Sequence, residues 1–163
     1  MTTIFADFSF AREHDVETIL WQTHTSFNNA YRKVLGRIGD RSQVVQKRKV
    51  DKLYRDFLKT SQSFYRAYVQ RLASQYDIPE LRQAAHGLDL EIETNASPET
   101  LPPVLRSQLL GSCYMTLVRL GDLARYRCQH SERASKSSFD TAMTFYGLAS
   151  MLDPNDEIGR AHV

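Results

Sequence analysis

Residues 117–127 read Leu-Val-Arg-Leu-Gly-Asp-Leu-Ala-Arg-Tyr-Arg, and residues 142–154 read Ala-Met-Thr-Phe-Tyr-Gly-Leu-Ala-Ser-Met-Leu-Asp-Pro. In the first stretch Leu117, Leu120, Gly121 and Ala124 recur at helical offsets and share one face. In the second, Ala142, Tyr146 and Ala149 do the same, and Pro154 supplies a stop. Small residues on facing helices let the two backbones approach closely. Gly121 and Ala142 mark that approach, and the Tyr146 ring fills the space beside them. The two stretches are therefore predicted to pair as a helical hairpin.

The order small, large, small, proline in the second stretch is similar to the second helix of a tetratricopeptide repeat. Ala124 stands where that repeat prefers Tyr, and the turn within residues 127–141 is longer by about nine residues.

Working outward, the rest of the chain reads as helix too. Val16, Leu20, Phe27, Tyr31, Val34 and Ile38, with Trp21 and His24 beside them, predict a helix over about residues 12–37, closed near Gly36 and Gly39. A second long helix carries the stripe Val50, Leu53, Phe57, Ser61, Phe64, Tyr68 and Leu72, widened by Tyr54, Tyr65, Val69 and Tyr76. It ends before Pro79, which disfavours helical geometry at Ile78. A short helix follows over about 79–88. Residues 91–103, with Asn95, Ser97, Pro98 and the pair Pro102-Pro103, read as a loop. The alternation Asp89-Leu90-Glu91-Ile92-Glu93 is a weak strand signal. Two more long helices run over about 104–128 and from near Ser138 to Leu152. The fold class expected is all-α, an antiparallel helical array ending in the hairpin.

The chain has 163 residues, 42% hydrophobic and 25% charged, with a net charge of +2. This size fits about one domain and needs no disulfide or metal staple. The whole of residues 1–163 is expected to form that domain. The small net charge does not by itself indicate nucleic acid. Cys113 and Cys128 fall on one predicted helix, roughly 22 Å apart at 1.5 Å per residue, so they cannot bridge. They read as buried thiols. The N-terminal residues carry no basic region followed by an apolar run, and no stretch is apolar enough to span a bilayer. The expected compartment is cytoplasm or nucleus, where the Asn95-Ala96-Ser97 sequon would carry no glycan.

The segment Leu120-Gly121-Asp122-Leu123-Ala124-Arg125-Tyr126-Arg127 resembles the hallmark of a known family. It is similar at all eight positions to the L-G-D-[IL]-A-R-Y-R segment in the N-terminal 14-3-3-like domain of the SMG/EST adaptors. Those proteins serve nonsense-mediated mRNA decay and telomerase recruitment. Leu20-Trp21, Phe57-Leu58, Phe64-Tyr65 and the A-x-x-L-x-P run from Ala149 to Pro154 extend the resemblance over about residues 12–163. It implies a 14-3-3-like helical array whose groove binds phosphoserine or phosphothreonine peptides. It implies that Arg125 is a phosphate ligand, with Tyr126 beside it and Lys33 and Arg32 adding positive charge from the first helix. Two positions depart from the family pattern. Ser26 stands where a Lys is usual, and Val163 where an Asn holds the ligand backbone in 14-3-3 proteins.

The residue chemistry is compatible with that role. A guanidinium fork matches phosphate oxygens bidentately. A phosphate offers about −1.5 to −2 charges and three strong acceptors. Arg125 could equally pair with Asp122, three residues back. Residues 32–59 hold ten basic side chains (Arg32, Lys33, Arg37, Arg41, Lys47, Arg48, Lys49, Lys52, Arg55, Lys59) against Asp40, Asp51 and Asp56. That face could touch RNA, single-stranded DNA or an acidic partner. The five histidines are dispersed, and neither a zinc spacing nor a nucleophile motif is present. No enzyme activity, cofactor or metal is therefore expected. The leading expectation is an adaptor for a phosphorylated protein segment, such as the decay helicase or a telomere protein. The alternatives are a nucleic-acid-binding telomerase subunit and a helical scaffold without phosphate recognition. A chain stopping just after a repeat leads to the expectation of a longer adaptor, or of a dimer through the open face of that repeat.

Overall fold

The computed structural model describes residues 7–38, 43–93, 101–130 and 136–152. Among them are six helices and no strand: α1 Phe8–Glu13, α2 Val16–Arg37, α3 Val44–Gln75, α4 Pro79–Gly87, α5 Pro103–His130 and α6 Lys136–Ser150. The fold is all-α, as the hydrophobic periodicity predicts. The sequon, most of the 91–103 loop, Gly39, Pro154 and Val163 lie outside the described residues. The chain divides into two compact units, residues 1–61 and 62–163.

In the first unit, the expected helix over 12–37 is two helices. Asp7 caps α1 by accepting from the Phe10 N–H at 2.9 Å. The chain then breaks at Asp15, whose φ of 49° is left-handed. An Asp at that position does not announce a helix end as a Gly would. The predicted inner face of α2 is also corrected. Phe27 and Val34 are 54% and 44% exposed, whereas Asn28 is buried. The reason is a specific partner: the buried Tyr54 hydroxyl on α3 donates to Asn28 Oδ1 at 2.5 Å. Around that bond Tyr31 stacks on Tyr54 with ring centroids 5.3 Å apart. Phe57 meets Tyr31 at 5.6 Å and His24 at 5.8 Å, so His24 sits at the core edge.

In the second unit, α5 is the central helix. Leu109, Cys113, Leu117, Leu120, Leu123, Ala124 and Cys128 are all buried on it. Burial on more than one face is the mark of a helix enclosed by its neighbours. Both cysteines are buried, and neither forms a disulfide. The second half of α3 buries Gln62, Tyr65, Tyr68, Val69, Leu72 and Ala73. Its inner stripe is centred about one position from the expected one, because polar groups with internal partners belong to it. Tyr68 and Ser112 share a buried hydroxyl–hydroxyl bond of 3.0 Å. Ile78 is extended, at φ −118° and ψ 116°, and Pro79 opens α4 as expected.

The weak strand signal at 89–93 is not a strand. Asp89 is left-handed, with φ 51°. Its N–H donates to His86 O at 2.9 Å, and the Leu90 N–H to Ala85 O at 3.0 Å. This double closure is a Schellman helix end. Arg66 and Gln70 on α3 then pin the following segment by donating to Leu88 O and Glu91 O, at 2.5 and 2.7 Å. The left-handed backbone at Asp89 suits glycine. Asp89→Gly is expected to stabilise the protein by about 0.5–1 kcal/mol, since the αL strain is relieved and the Schellman bonds are made by the backbone. A urea midpoint at or below that of the wild type would contradict this.

Candidate functional site

The hallmark octapeptide lies on α5, in the second unit, and each side chain has a distinct place. Gly121 is buried against α6. A Cβ built there would lie 2.7 Å from Cδ1 and Cζ of Tyr146, so only a hydrogen leaves room for that ring. The close approach read from the sequence is therefore present, and Tyr146 fills it. Leu117, Leu120 and Ala124, with Ala142 and Ala149 on α6, complete the buried seam.

Seated in this way, the Tyr146 hydroxyl donates to Asp122 Oδ1 at 2.8 Å. The same oxygen accepts from Arg125 Nη2 at 3.0 Å. The Arg125 guanidinium also lies over the Tyr126 ring, 5.0 Å from its centroid. The Arg125 side chain keeps 41% of its surface exposed, and Asp122 25%. The hydrogen bond to Asp122 raises the pKa of Arg125 above its ordinary value, so the guanidinium is charged throughout the accessible range. Burial, followed by the bond to Asp122, raises the pKa of Tyr146, so its hydroxyl stays a donor.

Arg125 is thus oriented by an acceptor on one side and an aromatic face on another. A guanidinium has five N–H donors. Most of those of Arg125 have no acceptor among the described residues. Arg127, two residues on, contrasts with it: its Nη1 donates to buried Gln62 at 2.6 Å. Arg106 is likewise held by Glu80 at 2.6 Å. Chemically, Arg125 is a preorganised fork suited to a tetrahedral oxyanion or a carboxylate.

Of the residues singled out from sequence, Arg125 and Tyr126 come together in the second unit. Lys33 and Arg32 lie in the first, both exposed on α2, as does Ser26. The expected pair of Arg125 with Asp122 forms. What the sequence reading missed is the hydroxyl of Tyr146. The spacing predicts a ring that fills space, and its polar tip also bonds Asp122. The signal available was a tyrosine rather than a phenylalanine opposite Gly121.

Other features of the described residues are plainer. A hollow of about 460 Å³ is lined by Arg82, His86, Asp89, Leu90, Glu91 and Ile92, which mix a guanidinium and an imidazole with carboxylates. No three His, Cys, Asp or Glu side chains gather to hold a metal. No helix is long and apolar enough to cross a membrane.

The family described as telomerase activating protein Est1 matches residues 15–131. The nonsense-mediated mRNA decay factor SMG7 of Arabidopsis thaliana is 26% identical over an aligned length of 164 residues that covers 93% of this chain and 15% of that protein. The telomere elongation protein est1 of Schizosaccharomyces pombe (strain 972) is 26% identical over 129 residues, 74% of this chain and 26% of that protein. The chain therefore spans about a quarter or less of the relatives it matches. No solved structure matches it significantly.

Proposed function

The chain belongs to the family of the telomerase activating protein Est1, and on that premise we propose that it is a phosphopeptide-reading adaptor module without enzyme activity. The observation that carries this reading is Arg125: fixed by Asp122 and Tyr126, partly exposed, and with most of its donors unspent. A phosphoserine or phosphothreonine supplies the acceptors and charge that such a fork takes. The names of its relatives support a role for the module in nonsense-mediated mRNA decay or telomere maintenance. Its partner would be a phosphorylated protein segment of one of those systems.

Lys33, with Arg32 next to it, is proposed as a further source of cations for the same ligand. This part rests on the family resemblance and on the exposure of both side chains. The test is titration of the folded chain with matched phosphorylated and unmodified peptides. Charge reversal at Arg125 and at Lys33, singly and together, completes it. Non-additive losses for the double variant would place both residues on one ligand. Equal affinity of the wild type for the two peptides would end the reading.

A second reading is favoured by one observation. Arg48, Lys52, Arg55 and Lys59 are exposed at spacings of four, three and four along α3, so they form one stripe. Only Arg55 among them has a carboxylate partner, Asp51, in the described structure. Such a stripe suits the phosphates of a single-stranded nucleic acid. If it binds one through four contacts, log K should fall against log salt with a slope of about −3. A flat salt dependence with a mixed-sequence oligonucleotide would exclude this reading.

A further inference from the structure

We propose that Asp122 and Tyr146 are positioning residues for Arg125, and that the Tyr146 hydroxyl sets the aim of the guanidinium through the shared Asp122 oxygen. The proposal rests on the phosphate-binding reading of Arg125. Its starting point is an electrostatic oddity. A carboxylate 3.0 Å from an arginine repels any anion that the arginine is to hold. Asp122 is useful at that place only if what it contributes in geometry exceeds what it costs in charge.

The geometry supports this. Arginine is long and loses rotamer freedom when it is held. Here the restraint begins in the core. The Tyr146 ring occupies the space over Gly121, where a Cβ would press on its Cδ1 and Cζ. Its hydroxyl, at 2.8 Å, selects one orientation of the Asp122 carboxylate. Asp122 Oδ1 then holds one nitrogen of Arg125, and the Tyr126 ring supports the guanidinium plane at 5.0 Å. All four side chains lie in the second unit. The arrangement passes from the α5–α6 seam to an exposed fork chiefly through the shared Asp122 oxygen, and it leaves the outward N–H groups free to meet a ligand already oriented.

The sign of a substitution separates positioning from charge. The probe is inorganic phosphate, followed by the Nε–Hε NMR signal of Arg125 at constant ionic strength. With positioning, Asp122→Ala weakens phosphate binding about fivefold although it removes an anion, a size suited to a partly exposed pair. Asp122→Asn keeps an acceptor for both donors, so it stays within twofold of the wild type or binds more tightly. Tyr146→Phe changes no charge and weakens binding about twofold to fivefold. In Asp122→Ala and Tyr146→Phe the Arg125 side chain also gains motion on the ps–ns scale, while the α5 backbone does not. If charge alone matters, both Asp122 variants tighten binding and Tyr146→Phe leaves it unchanged; that result overturns the proposal. If Asp122→Ala does not fold, Tyr146→Phe decides by itself. A wild-type Arg125 signal that phosphate does not move in a saturable way would instead remove the phosphate reading, and this inference with it.

Discussion

Arg125→Glu is expected to erase the difference in affinity between a phosphorylated peptide and its unmodified twin. Two effects add. A charge-assisted hydrogen bond contributes about 1.5–3 kcal/mol, and a fork makes two of them. The new carboxylate also repels the phosphate. A loss of about 3 kcal/mol or more, over a hundredfold in affinity, is the expected size. The fold should survive, because the Arg125 side chain is 41% exposed and its bond to Asp122 joins two residues three apart on one helix. Isothermal titration with both peptides, beside a circular dichroism melt, reads the two quantities separately. Retained preference for the phosphorylated peptide in a folded Arg125→Glu chain would contradict the assignment.

The second large effect concerns stability. Gly121→Val places three carbons where one already comes within 2.7 Å of the Tyr146 ring. The ring cannot retreat cheaply, since the added atoms press on its body rather than on a flexible tip and its hydroxyl is bonded to Asp122. Overpacking of this kind costs about 3 kcal/mol. In a chain of this size that is roughly 6–12 °C in Tm. Removing the obstruction should restore part of the loss, so Gly121→Val combined with Tyr146→Ala is expected to melt above the sum of the two single effects. Additive losses would show that the clash is not between these two residues.

The sequence carries the α5–α6 hairpin clearly because its contact depends on residue size at fixed helical offsets. Gly121 and Tyr146 can be matched without knowing anything else about the fold. The ends of α4 and of the expected first helix are harder to read. Asp15 and Asp89 take left-handed conformations that glycine usually announces, so a helix break and a Schellman closure pass as continued helix and as a short strand. The inward face of α2 is hidden for a different reason. Asn28 is buried because the Tyr54 hydroxyl from another helix reaches it, and periodicity within one helix holds no record of that partner. The site divides in the same way. Arg125 with Tyr126, and Arg125 with Asp122, are neighbours along one helix and can be anticipated from spacing. The bond from Tyr146 to Asp122 joins two helices and appears only when they are packed.

The eight-residue hallmark now has a double origin. Gly121 makes room for a ring, Asp122 receives two donors, Leu120, Leu123 and Ala124 are inside, and Arg127 is tied to Gln62. Five of the eight letters, all but Asp122, Arg125 and Tyr126, would be demanded by architecture even if no phosphate ever came near. A descendant that had abandoned its ligand could go on spelling nearly the same word. Spelling is therefore a better witness to ancestry than to occupation, and in this stretch the vote on occupation belongs to one arginine, the tyrosine under it and the aspartate that aims it.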